Sequence, residues 1–203
     1  MHHSNDDEII QQMLVDLASD APGVYEAAEA WFLQQGLAMV PALLSGLENE
    51  LLGSVCHWRI LLILREFAEE KTLLAILKAF ERALRDGDPI VLPGAMEALA
   101  VFHAREAVDA LIGLLSEDDA DIVRHAAGLL GDMGDEIAVK PLLELLENED
   151  PSIRYSASRA LIRFDSTSVR KALEEHLEGE VDLEIRGLLT SAGIGSSHLG
   201  SDE

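Results

Sequence analysis

The sequence predicts an all-α chain, a right-handed α-solenoid of about five helical hairpins with a half-repeat at each end. Three observations carry this. Asp88-Pro89-Ile90-Val91 aligns with Asp119-Ala120-Asp121-Ile122 and Asp150-Pro151-Ser152-Ile153 at a constant offset of 31 residues, and self-similarity at a fixed period marks a repeat architecture. Two apolar spacings alternate down the chain, i, i+4, i+7, i+8 and i, i+3, i+4, i+7, each a stripe on one helix face. Aromatics make up only 4% of the 203 residues against 48% hydrophobic, so the core must be aliphatic, which suits closely stacked small helices.

In chain order, Ser4 to Glu8 supply capping and first-turn acidic side chains, and Ile10, Met13, Leu14 and Leu17 share a face. Ala21-Pro22-Gly23 breaks the chain. The first spacing, here called A, then appears as Val24/Ala28/Trp31/Phe32, Cys56/Ile60/Ile63/Leu64, Val91/Ala95/Ala98/Leu99, Ile122/Ala126/Leu129/Leu130 and Ile153/Ala157/Ala160/Leu161. The second, B, appears as Val40/Leu43/Leu44/Leu47, Leu73/Ile76/Leu77/Phe80, Val108/Leu111/Ile112/Leu115 and Val139/Leu142/Leu143/Leu146, with a weaker copy at Val169/Ala172/Leu173/His176. Ala at the fifth A position lets neighbouring helices approach closely. Asp88, Asp119 and Asp150 stand at N-cap range, with Pro89 and Pro151 where a missing N–H is harmless. The first helix has B spacing without an A partner, and Asp182, Ile185, Arg186, Leu189 and Ala192 restart A without a B. The expected organisation is one solenoid domain over 1–192 and a flexible tail over 193–203.

Fifteen Lys and Arg against 38 Asp and Glu give a net charge of −23, which opposes nucleic acid and anionic membrane surfaces. No stretch of 18 uncharged apolar residues suggests a membrane span. Cys56 is the single cysteine, so no intrachain disulfide or thiolate zinc site is expected. The N-terminus, acidic and polar, is unlike a signal peptide. A cytoplasmic protein is the expectation.

Asp150-Pro151-Ser152-Ile153-Arg154-Tyr155-Ser156-Ala157-Ser158-Arg159-Ala160-Leu161 resembles the short HEAT repeat of the phycobilisome-lyase type, Asp-Pro-x-Val-Arg-x-x-Ala-x-x-Ala-Leu. Ile122 to Asp135 follows the same pattern, with Arg124 one place late. The repeat from Asp88 departs further, having Leu92 at the arginine place and an extra Pro93. Before residue 85 the resemblance is in spacing alone. It implies a solenoid whose B helices line the concave side, where ligands lie, and it raises a bilin lyase subunit or chromophore-handling factor as the alternative function.

No catalytic constellation stands out. There is no HExxH motif, no Gly-rich phosphate loop after a strand and no His-Glu dipeptide of the kind HEAT-like iron hydroxylases use. No cofactor or metal is expected, and no enzyme. His103 and His125 read as surface or half-buried residues, His176 as a core-edge histidine, and Cys56 as a small buried hydrophobe. The leading function is therefore a non-catalytic scaffold or adaptor for a protein partner with a basic or apolar segment, held on the concave B-helix ridge. Outward ridge positions read Pro41/Ser45, Leu74/Lys78, Asp109/Gly113, Lys140/Glu144 and Arg170/Glu174, and the candidate partner-binding residues are Leu74, Lys78, Asp109, Lys140, Glu144 and Glu174. A second candidate surface is the A side, where Trp58, Leu61, Leu62, Leu92, Met96 and Val101 lie off the core stripes; burial inside the protein is the favoured reading. Arg154, Arg159, Arg163, Arg170 and Lys171 make the fifth repeat locally basic, with pairing to Glu174, Glu175 and Glu178 expected.

Overall fold

The computed structural model describes residues 3–67, 70–102 and 104–195. Among them stand twelve α-helices and no strand. They gather into two compact units, 1–102 and 103–203. The boundary falls within the pair of stripes that the 31-residue period assigns to one hairpin, Val91–Leu99 and Val108–Leu115. His103 and the segment 196–203 lie outside the described residues.

The N-terminal unit holds α1 (His3–Asp16), α2 (Val24–Gln35), α3 (Val40–Glu48), α4 (Gly53–Glu66), α5 (Glu70–Asp86) and α6 (Val91–Ala100). Helix α4 packs on α3 and α6, and α5 packs on α3 and α6. Phe32, Leu43, Ile60, Ile63, Leu64, Ile76 and Leu99 are fully buried. The off-stripe apolar residues follow them inward: Leu61, Leu92 and Met96 are buried, so the A side of this unit is largely internal, while Val101 stays exposed. Trp58 lies so close over Gly94 that any β-carbon there would overlap its indole. That contact explains a glycine in mid-helix, where it otherwise costs helix stability. The extra Pro93 is accommodated because it occupies the first turn of α6, where backbone N–H groups have no intrahelical acceptor.

Two expectations shift. Val24 is exposed and Trp31 half-buried, leaving Ala28 and Phe32 as the inward residues of α2. The run Val24–Glu48 reaches, by length and composition, what a membrane crossing needs. It is divided, however, by Gly36 at φ 68° and a 3₁₀ turn over Gly36–Met39, and Phe32, Val40, Leu43 and Leu47 belong to the core.

The C-terminal unit holds α7 (Arg105–Gly113), α8 (Ala120–Met133), α9 (Val139–Glu144), α10 (Pro151–Leu161), α11 (Thr167–Gly179) and α12 (Leu183–Ser191). Helix α10 is its centre, packed on α8, α9 and α12. A β-carbon built on Gly131 of α8 would come within 2.7 Å of both Cα and Cβ of Ala160 on α10. The small residues at this crossing are therefore required by the spacing of the helices. In α8 the stripe sits one residue later than the spacing suggests: Val123, Ala126, Ala127, Leu130 and Met133 are buried, whereas Ile122 and Leu129 are half-buried. The B arms tighten into 3₁₀ turns at Leu114–Ser116 and Leu145–Glu147, a common way for a helix end to use its last carbonyls. Ile194 is buried and the Gly193 carbonyl accepts from Arg170, so the chain is still anchored beyond the expected tail boundary at 193.

The aspartate caps form as the spacing implies. Asp88 Oδ1 accepts from Ile90 and Val91 N–H at 2.9 and 3.0 Å, Asp119 from Asp121 and Ile122, Asp150 from Ser152, and Asp182 from Glu184 and Ile185. The other oxygen of Asp88 accepts from Ser54 on α4 at 2.6 Å, so this cap also ties two helices together. Burial raises the Asp88 pKa, but the Ser54 hydroxyl and the two N–H groups outweigh it and hold the carboxyl below its ordinary range.

Candidate functional site

The B helices of the C-terminal unit are amphipathic. Burying Val108, Leu111, Leu142, Leu146, Val169 and Leu173 leaves the charged side chains of α7, α9 and α11 on the opposite face. Asp109, Lys140 and Glu144 are exposed there and Glu174 is half-buried. Leu74, 61% exposed, and Lys78, also exposed, occupy the outer face of α5 in the N-terminal unit. All six residues thus lie off the cores.

The charges on these helices are not evenly matched. From α7, from α9 with its flanking 3₁₀ turns, and from α11 come eight carboxylates and four Lys or Arg. Each cation is already engaged close to home. Arg105 Nε sits 2.9 Å from both oxygens of Asp109, Lys140 is 4.0 Å from Glu144, Lys171 is 3.6 Å from Glu175, and Arg170 donates to the Gly193 carbonyl. Glu106, Glu136, Glu147 and Glu178 are exposed and have no ion-pair partner among the described residues. The predicted ridge residues are thus already engaged, Asp109 by Arg105 and Lys140 by Glu144, and the uncompensated charge falls on positions the ridge count passed over.

The arginines of the A helices do other work. Arg154 donates through Nε and Nη2 to the two oxygens of Glu180 at 2.9 and 3.0 Å, and through Nη1 to the Asn148 and Glu149 carbonyls. Glu180 also accepts from Val181 and Asp182 N–H and is 95% buried. The Arg154 guanidinium is the main reason its pKa falls to about 2. His176 Nε2 lies 3.1 Å from Glu180 Oε2, off line for a hydrogen bond. Arg186, at the equivalent place one repeat later, donates to the Leu177 and Glu180 carbonyls. These arginines hold the inter-repeat turns. The expected pairing of the basic fifth repeat with Glu174, Glu175 and Glu178 is corrected in part: Lys171–Glu175 forms as foreseen, while Arg154 takes Glu180 and Arg163 takes Asp132.

Cys56 is fully buried, its Sγ donates to the Leu14 carbonyl at 3.3 Å, and burial pushes its pKa to about 11. A thiol so placed is no nucleophile at neutral pH. Among the described residues no group of three or more His, Cys, Asp or Glu side chains could hold a metal ion. A groove of about 630 Å³ crosses α8, α10 and α12.

With this geometry in view, the class of fold follows: helical hairpins with aspartate-capped A helices make an all-α solenoid. Residues 124–192 match a family model described as HEAT repeats. A designed armadillo repeat protein in complex with the peptide (KR)4 is similar in structure, with 18% identity, a TM-score of 0.53, and coverage of 90% of this chain and 97% of that one. An engineered protein is 21% identical with a TM-score of 0.48, covering 91% and 94% of the two chains. No curated protein matches the chain.

Proposed function

We propose that the protein is a non-catalytic scaffold that binds a basic, extended segment of a protein partner along the B helices of its C-terminal unit. The observation that carries this reading is the set Glu106, Glu136, Glu147 and Glu178, left without cations on a face where every Lys and Arg is already engaged. Carboxylates fixed on helices present their charge without an ordering cost on binding, and an acidic field attracts and orients a basic partner. The partner-binding residues of this reading are those four together with Asp109, Glu144 and Glu174, with Lys140 inside the strip and paired to Glu144. Leu74 and Lys78 would serve a separate contact on the N-terminal unit. A single cysteine suits a reducing cytoplasm as the place of work.

The peptide (KR)4, found with the designed armadillo repeat protein, is a ready probe. Fluorescence anisotropy of the labelled peptide should show saturable binding that weakens about tenfold between low and physiological salt. Reversing Glu106, Glu136, Glu147 and Glu178 to Lys should abolish it with unchanged circular dichroism. Binding that survives the quadruple reversal overturns the assignment.

A further inference from the structure

Among the described residues of the C-terminal unit, every arginine but one has a partner within the fold. Arg105 and Arg124 pair with acids on their own helices, Arg154 with Glu180, Arg163 with Asp132, and Arg170 and Arg186 with main-chain carbonyls. Arg159 has none and is exposed. Its guanidinium lies beside Gly128 of α8, where an added β-carbon would stand 3.6 Å from Nη2. It borders the groove across α8, α10 and α12, together with Tyr155, His125 and Glu184. Tyr155 and His125 are half-buried, and neither ring's polar atoms have a hydrogen-bond partner among the described residues. Glu184 is exposed and equally unpaired.

The repeat register gives this groove a direction. Asp119, Asp150 and Asp182 cap α8, α10 and α12, so Asp121, Ser152 and Glu184 stand at the same level. Arg159 and Gly128 stand seven residues further along, roughly 10 Å at the helical rise. One end of the groove therefore offers a free carboxylate and the other a free guanidinium, with an aromatic ring between. Arg159 and Glu184 stand on neighbouring helices, α10 and α12, so an interaxial step of about 8–10 Å adds to this rise and brings the span to roughly 13 Å. That is the reach of four residues in an extended chain, whose side chains at i and i+4 share a face, and the groove volume of about 630 Å³ lies within the range of ligand sites.

We propose that this groove is a second binding site, which takes an extended zwitterionic peptide segment with an acidic side chain against Arg159 and a basic one four residues away against Glu184. The site stands apart from the acidic strip on the B helices, because a uniformly basic segment would be repelled at Arg159. Mixed charge at fixed spacing also gives selectivity, since a peptide with one end wrong meets an unpaired charge.

The test uses the full chain with 15N labels and hexapeptides containing Glu-Val-Thr-Val-Lys or the reverse order, Lys-Val-Thr-Val-Glu. Controls replace one charged residue of each peptide by Gln. Saturable amide shifts at Tyr155, Gly128 and Glu184 with at least one zwitterionic order, and about tenfold weaker binding of its Gln controls, are expected. Arg159→Glu and Glu184→Lys, both at exposed positions, should each weaken binding by a similar factor while leaving (KR)4 anisotropy unchanged for Arg159→Glu. Equal binding of the Gln controls, retention by either variant, or no saturable shift with either order overturns the proposal. Loss of (KR)4 binding through the B-helix reversals alone would leave this site intact, so the two assignments fail separately.

Discussion

Replacing Glu180 by Gln tests how the inter-repeat turn is held. The carboxylate accepts two guanidinium bonds from Arg154 and two backbone N–H bonds while almost fully buried. Its pKa is depressed from 4.5 to about 2, and a difference of that size corresponds to a ceiling of about 3 kcal/mol of folding free energy. The pair borders a hollow of about 400 Å³ that also reaches Glu147 and Glu175. Solvent screening there brings the expected loss to about 2 kcal/mol. The sign is that of a carboxylate with a lowered pKa: its contribution is complete above the unfolded value near 4.5, fades as pH falls, and is gone below about 2. Urea unfolding followed by circular dichroism, with hydrogen exchange at α10 and α12 amides to assign the transition, should show Glu180→Gln weaker than wild type at pH 7. At pH 3 less than half of that gap should remain. Equal stability at pH 7, or a gap that does not change with pH, would refute the reasoning.

Two further outcomes concern packing and capping. Gly131→Ala should destabilise the C-terminal unit by about 1–3 kcal/mol because its β-carbon meets the Ala160 backbone, whereas Gly128→Ala, with only an ordinary contact to Arg159, should gain up to about 1 kcal/mol from helix propensity; urea midpoints of the pair measure the contrast. Asp119→Ala removes both cap bonds at the start of α8 and should lower stability by about 1 kcal/mol, visible as faster exchange of the Asp121 and Ile122 amides.

Much of the fold was legible because the repeat is built from local rules. Asp caps, i, i+4 stripes and small residues at crossings act within one or two turns of helix, and Ala95, Ala126 and Ala157 are indeed fully buried. The α8 stripe slipped by one residue because Ile122 and Val123 are equally apolar, and spacing alone does not choose between them. Arg154 stood in view at the arginine place of the repeat motif, but its partner Glu180 lies 26 residues away in a turn, beyond the reach of any helical periodicity. The acidic strip was half legible. Outward positions on the B helices followed from the stripe, yet which acids remain unpaired depends on side-chain reach, as with Arg105 closing on Asp109. Arg159 became a candidate only by elimination, once the partners of its fellow arginines were known.

The most direct measurement of the central claim is amide chemical-shift mapping of the 15N-labelled chain titrated with (KR)4. The account predicts shifts concentrated on α7, α9 and α11, around Glu106, Glu136, Glu147 and Glu178, and their disappearance on reversing those four carboxylates. Shifts spread evenly over the acidic surface, or gathered on the N-terminal unit around Leu74 and Lys78, would contradict it.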